Sequence, residues 1–231
     1  MRPGEQPEIA RLPLFREMAE SERNRIFSGS FLQVFPPQLL LFELGQHADF
    51  LYVLIDGLVE LYANGAGRDT TMRIVEPVSS FILAAVITDM PYLMSARTVA
   101  SSRILLLPAA LMREVVRKDQ ALMDATMREL AMAYRDMVRA LADMKLRQSA
   151  ERLGNLLLQQ ESRQGSTGIV HLRAEKRLLA SLLGMAPENL SRAFRVLADH
   201  GVTAEAGQVT ITDRAALEAF SHLDPAFDYG Q

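Results

Sequence analysis

The hydrophobic period of this chain shifts from strand-like to helical near residue 108, and that shift limits it to a β-structured body followed by a long helix. Short apolar runs at 31–35, 39–43, 50–55, 58–62, 71–75 and 103–107 are closed by Pro36-Pro37, Gly45, Asp56-Gly57, Asn64-Gly65, Pro77 and Pro108. Strands so short and so evenly punctuated suit a β-barrel or a double-sheet roll. Ahead of them, 8–30 reads as short helices, with Leu14-Phe15 in one and Ser21-Glu22 opening another. From Ala109 the pattern turns helical. Met123, Met127, Leu130, Tyr134, Met137, Leu141 and Met144 alternate spacings of four and three, which is a heptad seam.

One reading of that seam is an amphipathic helix lying on its own barrel. The other, which the sustained 3.5 period favours, is a helix that pairs with its twin. The flanks Ala131, Ala133, Val138 and Ala140 would then touch the barrel. Methionine repacks easily, which suits a seam that must slide. A hinge is expected at 145–149, free to let the seam helices shift the segment that follows, then a helix to about Gln160, a loop at 162–168 and a short strand at 169–172. Two helices follow, and 202–211 forms a small wing turning at Ala206-Gly207. The expected organisation is α+β: a sensor roll over 1–108, a dimerisation helix over 109–146, and a winged helix-turn-helix domain over 147–231.

Residues 175–201 carry the functional signal. Gly184 ends the first helix, where a left-handed residue is wanted, and Pro187 suits the first turn of the second. Glu188, Ser191 and Arg192 then share one helix face. These residue types can read base edges in a major groove: Glu accepts from cytosine, Arg grips guanine, and Ser serves either. Net charge is −3, which does not advertise a nucleic-acid binder. Locally the balance reverses, with Arg173, Lys176, Arg177, Arg192 and Arg195 against Glu175 and Glu188. Arg173, Lys176, Arg177 and Arg195 are the candidate phosphate contacts. The plainer alternative is a helical hairpin whose Glu188 and Arg192 form a surface pair.

The order of roll, long helix, break and winged helix-turn-helix resembles the CRP/FNR superfamily of bacterial regulators. Gly45 and Gly57 look like the glycine landmarks of its jelly-roll, cyclic-nucleotide-binding-like domain. The run 188–192, Glu-Asn-Leu-Ser-Arg, is similar to the E-x-x-S-R signature of the FNR-like branch. The resemblance implies a homodimer on double-stranded DNA. Glu188, Ser191 and Arg192 would read a palindrome of the TTGAT kind, from recognition helices roughly 34 Å apart. It implies an activator more often than a repressor, with RNA polymerase as partner.

It also implies what the roll lacks. The ribose-binding Glu of cyclic-nucleotide members falls on Ala84, the phosphate-binding Arg on Met94, and two cassette glycines on Leu83 and Val86. Ser95-Ala96 match the cassette's end, and Arg97 faces another way. cAMP is therefore not expected. The stretch 81–96 offers an apolar lining instead, from Ile82, Leu83, Ala84, Val86, Ile87, Tyr92, Leu93, Met94 and Ser95. The resemblance allows a haem there, sensing nitric oxide or another gas, or a small apolar effector; the alternative is a filled core in a regulator that needs no ligand.

With no cysteine in the chain, iron–sulfur clusters and thiol redox sensing are excluded. No metal site is expected: His47, His171, His200 and His222 are scattered, which also argues against a cupin-like enzyme. No apolar run approaches a membrane span and no signal-peptide core opens the chain, so a cytoplasmic, non-enzymatic protein is expected.

Overall fold

The computed structural model describes residues 1–65, 67–205 and 207–223. Two compact units emerge, 1–134 and 135–231. In the first, the earliest α-helix is α1 (Gln6–Ile9), Leu14-Phe15, expected in a helix, lie in turns, and the punctuated stretch folds into two four-stranded antiparallel sheets. One sheet runs β1 (Phe31–Phe35), β8 (Ser102–Pro108), β3 (Phe50–Asp56), β6 (Ser79–Phe81). The other runs β2 (Leu40–Phe42), β7 (Ser95–Thr98), β4 (Val59–Gly65), β5 (Arg68–Val75). Leu51 to Ile55 of β3 are buried without alternation, because α2 (Glu20–Gly29) and α4 (Ala109–Val116) pack on this sheet and cover the side turned from the second. Between the sheets the rings of Phe42, Tyr52, Phe81 and Tyr92 lie 4.1–6.4 Å apart. Burial pushes the Tyr52 hydroxyl well above its ordinary pKa.

The two glycine landmarks are needed for different reasons. Both have positive φ, +84° at Gly45 and +103° at Gly57, where side-chain-bearing residues are strained. A Cβ on Gly45 would meet nothing, whereas one on Gly57 would strike the Ser102 hydroxyl and stand 2.6 Å from the Ser101 carbonyl. Three local features depart from the sequence expectation. Strand β4 runs on through Asn64-Gly65, where the Asn64 amide donates to Asp69 across the pair at 3.1 Å. The reversal comes at Gly67, φ +77°, and Ala66 beside it lies outside the described residues. The apolar stretch after Phe81 coils: Ile82 adopts φ +61° and opens a short helix, α3 (Leu83–Thr88), that buries Leu83 and Val86.

Helix α5 (Gln120–Leu146) has 27 residues, about 40 Å of helix. Asp119 caps it, one carboxylate oxygen accepting the Leu122 N–H at 2.8 Å and the other the Ala19 N–H at 2.9 Å. Its first turns bury Leu122, Ala125 and Thr126, and Leu130 packs on the roll's core. Of the small flanks expected to do this, Ala131, Val138 and Ala140 are exposed and Ala133 is half-buried. Glu129 of α5 accepts from the Ser80 hydroxyl of β6, and burial raises its carboxyl pKa.

The second unit holds the last turns of α5, α6 (Ser149–Arg163), β9 (Ile169–His171), α7 (Lys176–Leu182), α8 (Pro187–Ala198), β10 (Val202–Glu205), β11 (Gln208–Ile211) and α9 (Arg214–Phe220). The expected break falls at Arg147-Gln148, but the division between units lies inside α5. The wing forms as β10 and β11, with β9 as third strand. Its turn glycine, Gly207, has φ +88°, while Ala206 is outside the described residues. Helix α9 was not apparent in the pattern. Asp213 caps it, accepting the Ala216 N–H at 2.9 Å.

Gly57→Ala should cost more than about 2 kcal/mol, by adding a clash to the strained φ. Gly45→Ala should cost about 1 kcal/mol, from the backbone alone. Chemical denaturation of both variants checks the order. Glu129 binds its proton more tightly folded than unfolded, because burial outweighs the Ser80 bond that favours its charged form, so the stability it contributes is present below its unfolded pKa and lost as pH rises through the raised folded value. Glu129→Gln should therefore raise the melting temperature more at pH 8 than at pH 5; an equal shift at both would remove the burial effect.

Candidate nucleic-acid interface

Helix α7 ends in a Schellman turn. The Gly184 N–H donates to the Ser181 carbonyl and the Met185 N–H to the Ala180 carbonyl, each at 3.0 Å, with Gly184 at φ +63°. This pairs carbonyls the helix end leaves open. Pro187 is then the first residue of α8, after Ala186 in extended conformation. Leu190, Ala193 and Leu197 bury one face of α8 in a core with Leu153, Leu157, Leu179 and Val209. The opposite face presents Glu188, Ser191, Arg192 and Arg195 to solvent, as the sequence spacing requires.

The electrostatics of that face set it apart from a solvated helical hairpin. Glu188 and Arg192 are i, i+4 neighbours, yet they form no ion pair with each other. Among the described residues none of Arg173, Lys176, Arg177, Glu188, Arg192 and Arg195 forms one with any group. All six are exposed. Ser191 donates to the Pro187 carbonyl at 3.3 Å, a bond a ligand can displace. Elsewhere exposed charges do pair: Arg103 makes two bonds to Glu8 at 2.7 and 2.8 Å, and Arg25 and Lys118 converge on Glu114. Two residues that the sequence spacing did not single out adjoin the face. Asn189 and Val196 are exposed on α8, and with Arg192 they border a shallow concavity completed by Gln148, Ser149 and Arg152 of the α6 start. Only folding brings residues 148–152 beside 189–196; Gln148 and Glu151 mark a helix start in sequence and nothing more.

The seam emerges as an exposed apolar stripe. Met127, Tyr134, Met137, Leu141 and Met144 are 65, 69, 68, 55 and 50% exposed, whereas Met123 and Leu130 are half-buried. The candidate effector lining does not assemble. Leu83, Val86 and Tyr92 are core residues, and Ile82 and Met94 pack against that core. Ser95 accepts the Leu44 N–H at 3.0 Å. Ala84 is exposed and Leu93 is 82% exposed. Arg97 is occupied elsewhere, bonding Glu60 at 2.7 Å and Asp69 at 2.9 Å over the Tyr62 ring.

Nor do these residues fit a haem. His47 is held on the surface between Asp49 and Asp89 at 3.1 and 3.3 Å. His200 stacks on Phe220 at 4.1 Å, and His171 and His222 are exposed. Among the described residues no group of three or more His, Asp or Glu side chains is placed to hold a metal, and no helix is long and apolar enough to cross a membrane.

Comparison with known proteins bears on both units. Residues 32–119 match the cyclic nucleotide-binding domain family and residues 151–220 the Crp-like helix-turn-helix domain family. No curated protein matches the chain. Among solved structures, FixK2 from Bradyrhizobium japonicum is 17% identical, with TM-score 0.74 over 83% of this chain and 96% of that one. A CRP-family transcriptional regulator from Thermus thermophilus is 21% identical, with TM-score 0.65 over 83% and 97%. A cyclic-nucleotide-binding-type protein of Ruegeria pomeroyi is 26% identical, with TM-score 0.61 over 97% and 100%. The first two are likenesses of fold.

Because the polar face of α8 supports nothing inside the chain, Arg192→Ala should leave stability within about 0.5 kcal/mol of the parent. Leu190→Ala, two residues earlier on the buried side, should cost about 2–5 kcal/mol. Thermal unfolding of the two variants reads the contrast directly.

Proposed function

We propose, on the premise that this chain is a transcription regulator of the CRP/FNR type with a cyclic nucleotide-binding-type domain and a Crp-like helix-turn-helix domain, that it binds double-stranded DNA as a homodimer. Each copy lays α8 in a major groove. Glu188, Ser191 and Arg192 read an inverted repeat of the TTGAT kind, and Arg173, Lys176, Arg177 and Arg195 hold phosphates. The observation that carries this reading is the unpaired polar face of α8. Charges that give up an available i, i+4 pairing are open to base edges at no internal cost. The exposed α5 stripe supports the dimer. Five large apolar side chains in one row are a poor water-facing surface, and their heptad spacing matches a second copy of the same helix. As an activator the dimer would bring RNA polymerase to a promoter beside its site.

The packing of the roll favours a second element of the reading. Of the side chains that replace the cyclic-nucleotide cassette, Leu83 and Val86 lie in the core and Met94 packs against it, while Ala84 is exposed and too small to serve a ribose. Neither a cyclic nucleotide nor a haem is needed for the dimer to bind DNA, and any effector acts from outside 81–96. This supports a regulator that binds its site without a small molecule in the roll.

Arg192→Ala should lose about 1–3 kcal/mol of specific binding per half-site, measured by mobility shift on a TTGAT palindrome against a scrambled duplex. Lys176→Ala should weaken both duplexes alike and shallow the salt dependence by about one unit per lost contact. Specific binding by Arg192→Ala equal to the parent's would contradict the base-reading assignment. Titration calorimetry with cAMP should show no heat of binding; a saturable signal would contradict the filled roll.

A further inference from the structure

We infer that Met144 is a positioning residue for the recognition helix. It carries the packing of the α5 seam into the helix-turn-helix turn, and so sets which half-site spacing the protein accepts. The inference rests on the homodimer reading above and adds to it a specific contact. Met144 faces two ways. It is half-exposed as the last member of the seam, and its other side sits on Gly184. A Cβ on Gly184 would stand 2.6 Å from the Met144 methyl and 3.2 Å from its sulfur. The methionine therefore occupies the space that a side chain at 184 would take. Gly184 is needed there twice, for its left-handed φ of +63° and for the room it leaves.

This contact is braced on every side by polar bonds within the same unit. Arg152 of α6 donates through Nε to the Leu183 carbonyl at 3.1 Å, in the same turn, and through Nη1 to the Arg147 carbonyl at 2.8 Å. Asn155, fully buried, donates to both oxygens of Asp143 at 3.0 and 3.1 Å. The Arg147 guanidinium pairs with Asp143 and reaches the Ser221 and His222 carbonyls at 3.0 Å. The break at 147–148, expected to be a free joint, is thus tied down. The end of α5 cannot tilt without dragging residues 183 and 184, and α8 begins three residues later at Pro187.

The magnitudes make this a specificity device. Successive base pairs lie about 3.4 Å apart along the duplex. A change of one pair in the spacer asks each recognition helix of a symmetric dimer to move by about half that, roughly 1.7 Å. Truncating methionine to alanine opens a gap of that order, and a packed chain of contacts is the physical route by which one interface biases another.

The test is a spacer series: inverted TTGAT repeats whose central spacer grows by one base pair at a time, titrated with the full-length protein at concentrations where sedimentation shows a dimer. The parent should prefer its best spacer over the next by at least about tenfold. Met144→Ala should reduce that preference to less than about threefold, while discrimination against a scrambled half-site persists. Leu141→Ala is the control. It removes a seam side chain one turn away, weakening pairing without touching the turn, and should keep the parent's spacing preference. If Met144→Ala keeps the preference, or if both variants lose it alike, the inference is overturned while the dimer stands. A monomeric parent would overturn the dimer reading, and the inference with it.

Discussion

Everything proposed for this protein depends on how α8 divides its surface. Leu190, Ala193 and Leu197 anchor one side in the core of the second unit, and that burial supplies the helix's stability. The other side is then free of structural duty. Glu188 and Arg192 need not pair to hold the helix, and they do not. A group left unpaired on a rigid element is preorganised for a partner outside the chain, since binding costs it no internal contact. Gly184 and Pro187 complete the arrangement by stopping one helix and starting the next within a few residues, so that α8 stands out from the unit.

Helix α5 has a comparable division of labour, spread along its length instead of around it. Its first turns belong to the roll through Leu122, Ala125 and Thr126; its last turns belong to the DNA-binding unit through Asp143 and Met144. Between these anchors Met127, Tyr134, Met137 and Leu141 stay exposed among the described residues. One continuous helix thus runs through both units, and its exposed stripe is the surface on which the homodimer proposal rests. The roll itself has an aromatic and aliphatic interior, and Arg97, three positions beyond Met94, is spent on Glu60 and Asp69.

Much of this was legible in the sequence, and the reasons are physical. The period change at Pro108, the heptad from Met123 and the Gly184-Pro187 pair are local patterns that backbone geometry enforces, and each element formed where its pattern lies. The residues 81–96 left two readings open because an apolar run fits a pocket wall and a packed core equally well. Only the left-handed Ile82 and the short helix after it decide that Leu83 and Val86 turn inward. The joint at 147–148 also looked free, because a helix break reads as flexibility until Arg147, Arg152 and Asn155 are seen to bridge it. Those bonds join residues up to 75 positions apart, beyond the reach of any local pattern. The concavity beside Arg192 is hidden for the same reason.

The most direct measurement of the central claim is a hydroxyl-radical footprint of the full-length protein on a duplex carrying the TTGAT palindrome. A homodimer presenting two α8 helices should protect two patches on one face of the duplex, about 10 base pairs apart, related by the palindrome's two-fold axis. A single protected patch, or protection without regard to the palindrome, would contradict it.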